Sequence, residues 1–121
     1  MAHAFTFPGQ GSQFVGMGRD LADNFAAARA VFDEVEDALG HKLTAIMFEG
    51  PEADLTLTEN TQPALMAVSL AVVRTLESEF GVRVADRAAL VAGHSLGEYS
   101  ALAAAGALTL ADTARLLQRR G

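Results

Sequence analysis

The sequence predicts an α/β protein in which buried strands are covered by helices, and three observations favour this class. Residues 3–7 and 88–92 have the composition of short strands. The second of these segments is apolar throughout, as a strand buried on both faces should be. Elsewhere, apolar residues recur at helical spacing. At 121 residues the chain forms at most one domain with a modest core, so we treat residues 1–121 as one unit.

The first strand is followed by a glycine-rich loop. His3 to Phe7 alternates in polarity, Pro8 to Gln13 reads as a turn, and a helix is expected from about Met17 to Ala22. The loop does not fit a phosphate-binding motif. Phe14 stands where G-x-G-x-x-G requires glycine, and no Lys-Ser/Thr pair follows Gly16. We expect these glycines to allow a close approach of the backbone to something in a cleft.

An amphipathic helix is predicted from Phe25 to Leu39, with Asn24 as its cap and Gly40 at its end. Its apolar face consists of Phe25, Ala28, Val31, Phe32, Val35 and Leu39. Its acidic residues are Asp33, Glu34, Glu36 and Asp37. The spacing of these carboxylates does not match a metal site, so we interpret them as a solvated face that keeps the protein soluble.

A second long helix is predicted from Thr61 to Phe80, with Thr61 as its cap and Pro63 in its first turn. Its predicted apolar stripe consists of Leu65, Val68, Val72, Leu76 and Phe80. Gln62 is a polar residue near the start of this helix, and solvent exposure is its simplest interpretation. Before the helix we expect a short helical piece at 42–48 and a loop with one helical turn at 52–61.

The stretch with the clearest chemical meaning follows the second strand. Gly93-His94-Ser95-Leu96-Gly97 is a G-x-S-x-G sequence between a strand and a helix, which is typical of a nucleophile elbow. The turn would present the Ser95 hydroxyl above the N-terminus of a helix running to about Ala105. Unpaired N–H groups and the positive end of the helix dipole would stabilise an oxyanion there. The alternative interpretation is an ordinary capping serine between two turn glycines.

The last predicted helix, from Thr109 to Arg120, carries a candidate ligand-binding arginine. At about 100° per residue its apolar arc consists of Leu110, Thr113, Ala114, Leu116 and Leu117. Arg120 falls inside this arc, whereas Arg115 and Arg119 point away, near Asp112. An inward guanidinium requires an anionic or strongly accepting partner. The alternatives for Arg120 are a frayed helix end and a structural ion pair.

The composition excludes several functional classes. A formal net charge of -6 disfavours nucleic acid as a partner, and the absence of cysteine excludes a disulfide framework, a thiolate metal site and a cysteine nucleophile. We see no signal-peptide pattern, and the longest weakly polar run, 101–111, is too short to span a bilayer. We therefore expect a soluble, cytoplasmic protein with no nucleic-acid, membrane or metal partner.

Four stretches together resemble a known family. In chain order they are Phe7-Pro8-Gly9-Gln10-Gly11-Ser12-Gln13, Thr61-Gln62-Pro63-Ala64-Leu65, Gly93-His94-Ser95-Leu96-Gly97-Glu98-Tyr99 and Arg120-Gly121. The sequence resembles malonyl-CoA:acyl carrier protein transacylases of bacterial type II fatty acid synthesis, and also the acyltransferase domains of fatty acid and polyketide synthases. The resemblance implies an α/β hydrolase-like acyltransferase subdomain with a parallel sheet and a nucleophile elbow. Because family members are more than twice as long, we expect residues 1–121 to correspond only to the N-terminal portion of this subdomain. The family's ferredoxin-like insert and C-terminal part would then be absent from this chain.

The resemblance also implies residue roles. Ser95 matches the family's nucleophile, and Gln10 and Leu96 match the residues whose backbone N–H groups form the oxyanion hole. Arg120 matches the arginine that pairs with the malonyl carboxylate, and Gln62 matches a glutamine near the active site. The implied reaction is ping-pong transfer of malonyl from malonyl-CoA to the phosphopantetheine thiol of acyl carrier protein, with no bound cofactor.

A serine nucleophile also needs a base, and the sequence supplies no convincing one. His3 and His41 are most simply surface residues, and His94 adjoins Ser95, where neighbouring side chains project in different directions. In the family the base histidine lies well downstream. We therefore expect the 121 residues alone to be inactive. Two alternatives are a serine esterase or thioesterase that uses the same elbow with water as acceptor, and a non-catalytic piece that folds or pairs with a partner.

Overall fold

The computed structural model describes residues 3–9, 11–82, 88–93 and 96–120. In chain order the described elements are β1 (His3–Phe7), α1 (Arg19–Asn24), α2 (Ala26–Leu39), α3 (Leu43–Glu49), α4 (Glu52–Thr56), α5 (Thr58–Phe80), β2 (Ala88–Gly93), α6 (Leu96–Ala104) and α7 (Leu110–Arg120). The described part is thus mostly helical. Both predicted strands are confirmed, and the connector that follows Val82 lies outside the described residues. Within these ranges, no helix has the length and apolar character needed to cross a bilayer.

The two strands pair in parallel. Their register joins Ala4 to Leu90 and Phe7 to Gly93, with one irregularity between His3 and Ala4. The carboxyl ends of both strands are therefore level, and helix α6 packs against both of them. A parallel pair needs a long crossover connection, and α1 to α5 lie within it.

Helix α5 is the centre of the core. It packs against α2, α6 and α7, and residues 61–67 are all buried. The predicted single apolar stripe is wrong at two positions, because Val72 is 41% and Phe80 is 65% exposed. The first half of the helix is surrounded by other elements, so burial there does not follow one face. Small residues such as Ala64, Ala67 and Ala71 are fully buried within it.

The predicted start of α5 is also wrong. The helix begins at Thr58, and Pro63 lies inside it. Thr61 is not the cap, because its backbone N–H already donates to the carbonyl of Leu57 at 2.8 Å. The Thr61 hydroxyl is buried and donates to the carbonyls of Leu55 and Leu57. This side chain therefore ties α5 to the end of α4, in a segment where the polar sequence predicted a loop.

Two polar residues of the α2 region have other roles than the sequence predicted. Asn24 does not cap α2; its Nδ2 donates to the Asp20 carbonyl at 2.7 Å and so closes α1. Glu36 is not part of a solvated face, since it is only 8% exposed. Its Oε2 accepts from the backbone N–H of Thr44 at 3.0 Å and from the Thr44 hydroxyl at 2.8 Å. Glu36 thus caps the first turn of α3 from a different helix.

The glycine-rich loop uses one glycine for core packing. Gly18 has φ 80°, and a Cβ there would lie 2.9 Å from the Phe32 ring and 3.1 Å from Val68. At Gly18, the backbone of this loop approaches core side chains of α2 and α5, whereas we expected an approach to a group in a cleft. The helix expected from Met17 begins two residues later, at Arg19.

We predict that Glu36→Ala lowers the free energy of unfolding by about 1–3 kcal/mol, because it leaves a buried helix N-terminus without its charged acceptor. Urea denaturation of the 121-residue chain measures this change. The matched control is Glu34→Ala, an exposed carboxylate on the same helix, which should change stability by less than about 0.5 kcal/mol. Equal effects of the two substitutions would contradict the capping role.

Candidate functional site

The candidate site lies where the two parallel strands end. Phe7 and Gly93 are the last residues of β1 and β2 and are register partners. Gln10 follows the first strand by three positions, and Ser95 follows the second by two. In open parallel sheets, ligands bind outside the carboxyl ends of strands. Gln10, His94 and Ser95 themselves lie outside the described residues, so their predicted roles stay predictions.

Gly97 brings the first turn of α6 against the end of β1. It is buried, and a Cβ built there would overlap the Phe7 carbonyl oxygen and lie 3.0 Å from the Phe7 carbonyl carbon. It would also lie 3.1 Å from the carbonyl oxygen of Pro8. The second glycine of G-x-S-x-G therefore permits a backbone contact between α6 and the start of the loop that carries Gln10. The close neighbour of Gly97 is thus the end of strand β1 and the residue after it.

Helix α6 begins at Leu96, directly after Ser95 in the sequence. The first N–H groups of a helix have no partner within it, and they carry the positive end of the helix dipole. The N–H groups at this helix N-terminus are therefore chemically suited to binding an anion. The predicted helix end near Ala105 is confirmed within one residue, since α6 ends at Ala104.

The predicted inward placement of Arg120 is wrong, because its side chain is exposed. The buried arc of α7 consists of Leu110, Thr113, Ala114 and Leu117. At about 100° per residue, Arg120 lies roughly 70° and Leu116 roughly 110° from the centre of that arc. Both are therefore outside it, and Leu116 is 44% exposed. The predicted exposure of Arg115 and Arg119 is confirmed, and Arg115 Nη1 lies 3.3 Å from Asp112 Oδ1.

The guanidinium of Arg120 nevertheless contacts the helix that follows Ser95 in the sequence. Its central carbon lies 5.3 Å from the centroid of the Tyr99 ring, which belongs to the first turn of α6. The sequence pattern indicated no role for Tyr99. The only local signal was an aromatic residue four positions after Ser95. Nothing in the sequence pattern indicated its contact with a residue 21 positions later.

Gln62 is buried rather than solvent-exposed. It is 6% exposed, and its Oε1 has no hydrogen-bond partner among the described residues. An amide oxygen buried without a partner is costly, which makes it an acceptor available to a ligand or to a part of the protein outside the described ranges. The hydroxyl of Ser100 in α6 is in the same condition.

His41 is engaged elsewhere in the fold. Its Nε2 lies 3.2 Å from Nε2 of Gln118, between the α2–α3 connection and α7, and it is half-buried rather than a plain surface residue. The side chains of His3 and His94 lie outside the description. Within the described ranges, no group of three or more His, Cys, Asp or Glu side chains is placed to hold a metal ion.

The sequence matches the acyl transferase domain family over residues 4–121. It is 50% identical over 118 residues to a malonyl CoA-acyl carrier protein transacylase of Bacillus subtilis (strain 168), covering 98% of this chain and 36% of the relative. It is 46% identical over 118 residues to the protein of the same name from Escherichia coli (strain K12), covering 98% of this chain and 37% of the relative. The chain therefore spans little more than a third of the length of these relatives.

The chain is also similar to solved structures of malonyltransferases. An acyl-carrier-protein-S-malonyltransferase from Bartonella henselae matches with 62% identity and a TM-score of 0.96, over 99% of this chain and 38% of that one. A malonyl-transacylase in complex with its type II polyketide synthase acyl-carrier protein matches with 44% identity and a TM-score of 0.91, over 99% and 38%.

We predict that Gly97→Ala destabilises the protein, although Gly to Ala inside a helix usually stabilises by about 0.5–1 kcal/mol. The added methyl would meet the Phe7 carbonyl and force α6 away from β1, at a cost of about 1–3 kcal/mol. Urea denaturation of the 121-residue chain measures the change.

The matched control for this test is Gly81→Ala. Gly81 has a left-handed φ of 67° but nothing within 4 Å of its Cβ position, so the substitution meets backbone strain without overlap. We expect a smaller loss than at Gly97, near 1 kcal/mol in order of magnitude. A Gly97→Ala protein as stable as the unchanged chain would contradict the close approach.

Proposed function

The chain belongs to the acyl transferase domain family, and we propose that within a family-length protein it transfers malonyl from malonyl-CoA to acyl carrier protein. The observation that carries the proposal is its 50% identity, over 98% of its length, to a malonyl CoA-acyl carrier protein transacylase. The complex of a relative with an acyl-carrier protein supports the choice of acceptor. We place the chain in an α/β hydrolase-like subdomain with a nucleophile elbow, acting in the cytoplasm.

Ser95 is the proposed nucleophile, and the backbone N–H groups of Gln10 and Leu96 are the proposed oxyanion hole. Two geometric facts support this assignment. The strands that precede Gln10 and Ser95 end level with each other. The contact of Gly97 with Phe7 and Pro8 holds the start of α6 beside the loop that leads to Gln10. Donors from two such segments would surround the carbonyl oxygen of an acyl group on Ser95.

The reaction proceeds in two half-reactions. The Ser95 hydroxyl loses its proton to a base and attacks the thioester carbonyl of malonyl-CoA. The tetrahedral oxyanion collapses, the carbon–sulfur bond breaks, and coenzyme A leaves as a thiol that takes up the proton. The phosphopantetheine thiol of the carrier then attacks the malonyl-serine ester, again with proton transfer through the base, and regenerates the Ser95 hydroxyl.

We infer that the base of this mechanism comes from outside these 121 residues. The ring of His41 contacts Gln118 and belongs to the α2–α3 connection. We propose that a histidine from the remaining length of a family member accepts the Ser95 proton. The 121-residue chain alone should therefore turn over little or no substrate.

Arg120 is the proposed site for the malonyl carboxylate. A guanidinium can bind a carboxylate through two parallel charge-assisted hydrogen bonds. The contact of Arg120 with Tyr99 supports the assignment, because it directs the cation towards the helix that follows Ser95. Gln62 is a second proposed substrate contact, supported by its buried and unsatisfied Oε1.

We predict that a family-length protein forms a malonyl ester on Ser95. Such a protein can be made by joining these 121 residues to the remainder of the Bartonella henselae relative. After mixing with malonyl-CoA, mass spectrometry of the peptide containing Ser95 should show one malonyl adduct, and the Ser95→Ala protein should show none. An adduct elsewhere, or none in the unchanged protein, would contradict the proposal. Rapid release of free malonate without a carrier would indicate a hydrolase instead.

We predict that Arg120→Ala in the same protein shifts acyl preference from malonyl towards acetyl. Acetyl lacks the carboxylate, so it gains nothing from the arginine, whereas malonyl loses a charge-assisted pair of about 1.5–3 kcal/mol, roughly 10- to 150-fold in kcat/KM. The ratio of kcat/KM for malonyl-CoA and acetyl-CoA measures the shift. Arg119→Ala, the adjacent exposed arginine, is the control and should leave the ratio unchanged. An unchanged ratio in Arg120→Ala would remove the proposed role of this residue.

A further inference from the structure

An aromatic ring of helix α6 contacts a cation of helix α7. Tyr99, in the first turn of α6, lies with its ring centroid 5.3 Å from the guanidinium carbon of Arg120, in the last turn of α7. This distance is within the range of about 6 Å over which a cation is attracted to the face of an aromatic ring. The contact therefore links the helix that follows Ser95 to the residue proposed to bind the substrate carboxylate.

The two partners differ in burial and in the number of side-chain torsions. Arg120 is exposed, stands at a helix end and has a long side chain with many rotamers. Tyr99 is half-buried, packs against the hydrophobic core and has only two side-chain torsions. In such a pair, the rigid ring restricts the flexible cation. Restricting a binding group before the ligand arrives lowers the entropic cost of binding.

We propose that Tyr99 is a positioning residue, whose ring holds the Arg120 guanidinium in place to receive the substrate carboxylate. This inference rests on the proposed function, since it assumes that Arg120 binds malonyl. Tyr99 acts through Arg120 and not by contact with the acyl group. The property that matters is the electron-rich ring face rather than the hydroxyl.

An aromatic ring suits this task better than an acidic side chain. A carboxylate partner would compete with the substrate for the same N–H donors of the guanidinium. A ring attracts the cation through its face and does not itself occupy any of those donors.

The test compares acyl discrimination in variants of the family-length protein. The readout is the ratio of kcat/KM for malonyl-CoA and acetyl-CoA, with KM and kcat determined separately. We expect Tyr99→Phe to match the unchanged protein. Tyr99→Leu should lower the ratio about two- to fivefold, mainly through a higher KM for malonyl-CoA. A change of this size is what the loss of an exposed cation–ring contact would cause. In the Arg120→Ala background, Tyr99→Leu should have no further effect on the ratio.

A second series keeps the shape of the ring, so that a folding defect cannot imitate the result. Phenylalanine with one, two and three ring fluorines at position 99 has a progressively less negative face and nearly the same size. We expect the malonyl-to-acetyl ratio to fall stepwise with the number of fluorines. A ratio that stays constant through this series would overturn the proposal, even if Tyr99→Leu were unstable.

The failures of the two proposals can be distinguished. If Arg120→Ala leaves the ratio unchanged, the carboxylate role of Arg120 fails, and the positioning role fails with it. If Arg120→Ala lowers the ratio but neither Tyr99→Leu nor fluorination does, the proposed function stands and the positioning role is wrong. A loss in Tyr99→Phe equal to that in Tyr99→Leu would show that the hydroxyl acts, and would also overturn the inference.

Discussion

The candidate site depends on one close approach, that of the Gly97 backbone to the carbonyl of Phe7. Any side chain at position 97 would separate α6 from the end of β1. Because β1 and β2 are parallel and their last residues are register partners, this approach draws two otherwise distant chain segments to one edge of the sheet. In the sequence, Gln10 and Ser95 each follow one of the two strands that end at that edge. The proposed oxyanion hole requires this arrangement, since its two donors come from different segments.

The hydrophobic core and the candidate site share the same helices. Helix α5 packs against α2, α6 and α7, and it carries the buried Gln62. Helix α7 is anchored by Leu110, Ala114 and Leu117, and its last turn extends Arg120 to the ring of Tyr99. Burial of apolar surface therefore fixes the backbone from which the proposed binding groups project. A side chain as long as arginine then needs a further contact to be held in one place, and Tyr99 supplies one.

Much of the fold was predictable because it follows local patterns. The strand at 3–7, the strand at 88–92, the helix ending at Leu39 and the last helix were all predicted within one or two residues. The errors occurred where distant partners decide the outcome. The sequence pattern predicted a solvated carboxylate at Glu36, but the backbone N–H of Thr44 in another helix donates a hydrogen bond to it. Thr61 and Pro63 read as a helix start, but the helix begins earlier and is joined to α4 through the Thr61 hydroxyl.

The chemical groups of the candidate site and their order along the chain can be read from the amino-acid sequence alone. The serine between two glycines, the loop with Gln10 and the terminal arginine were visible there, as was the resemblance to the transacylase family. Which of the described groups meet depends on how the helices and strands pack. Helical periodicity placed Arg120 in the interior, whereas packing left it exposed and against Tyr99. The physical reason is that a sequence pattern reflects neighbours within a few residues, while burial and contact are set by elements that lie tens of residues apart.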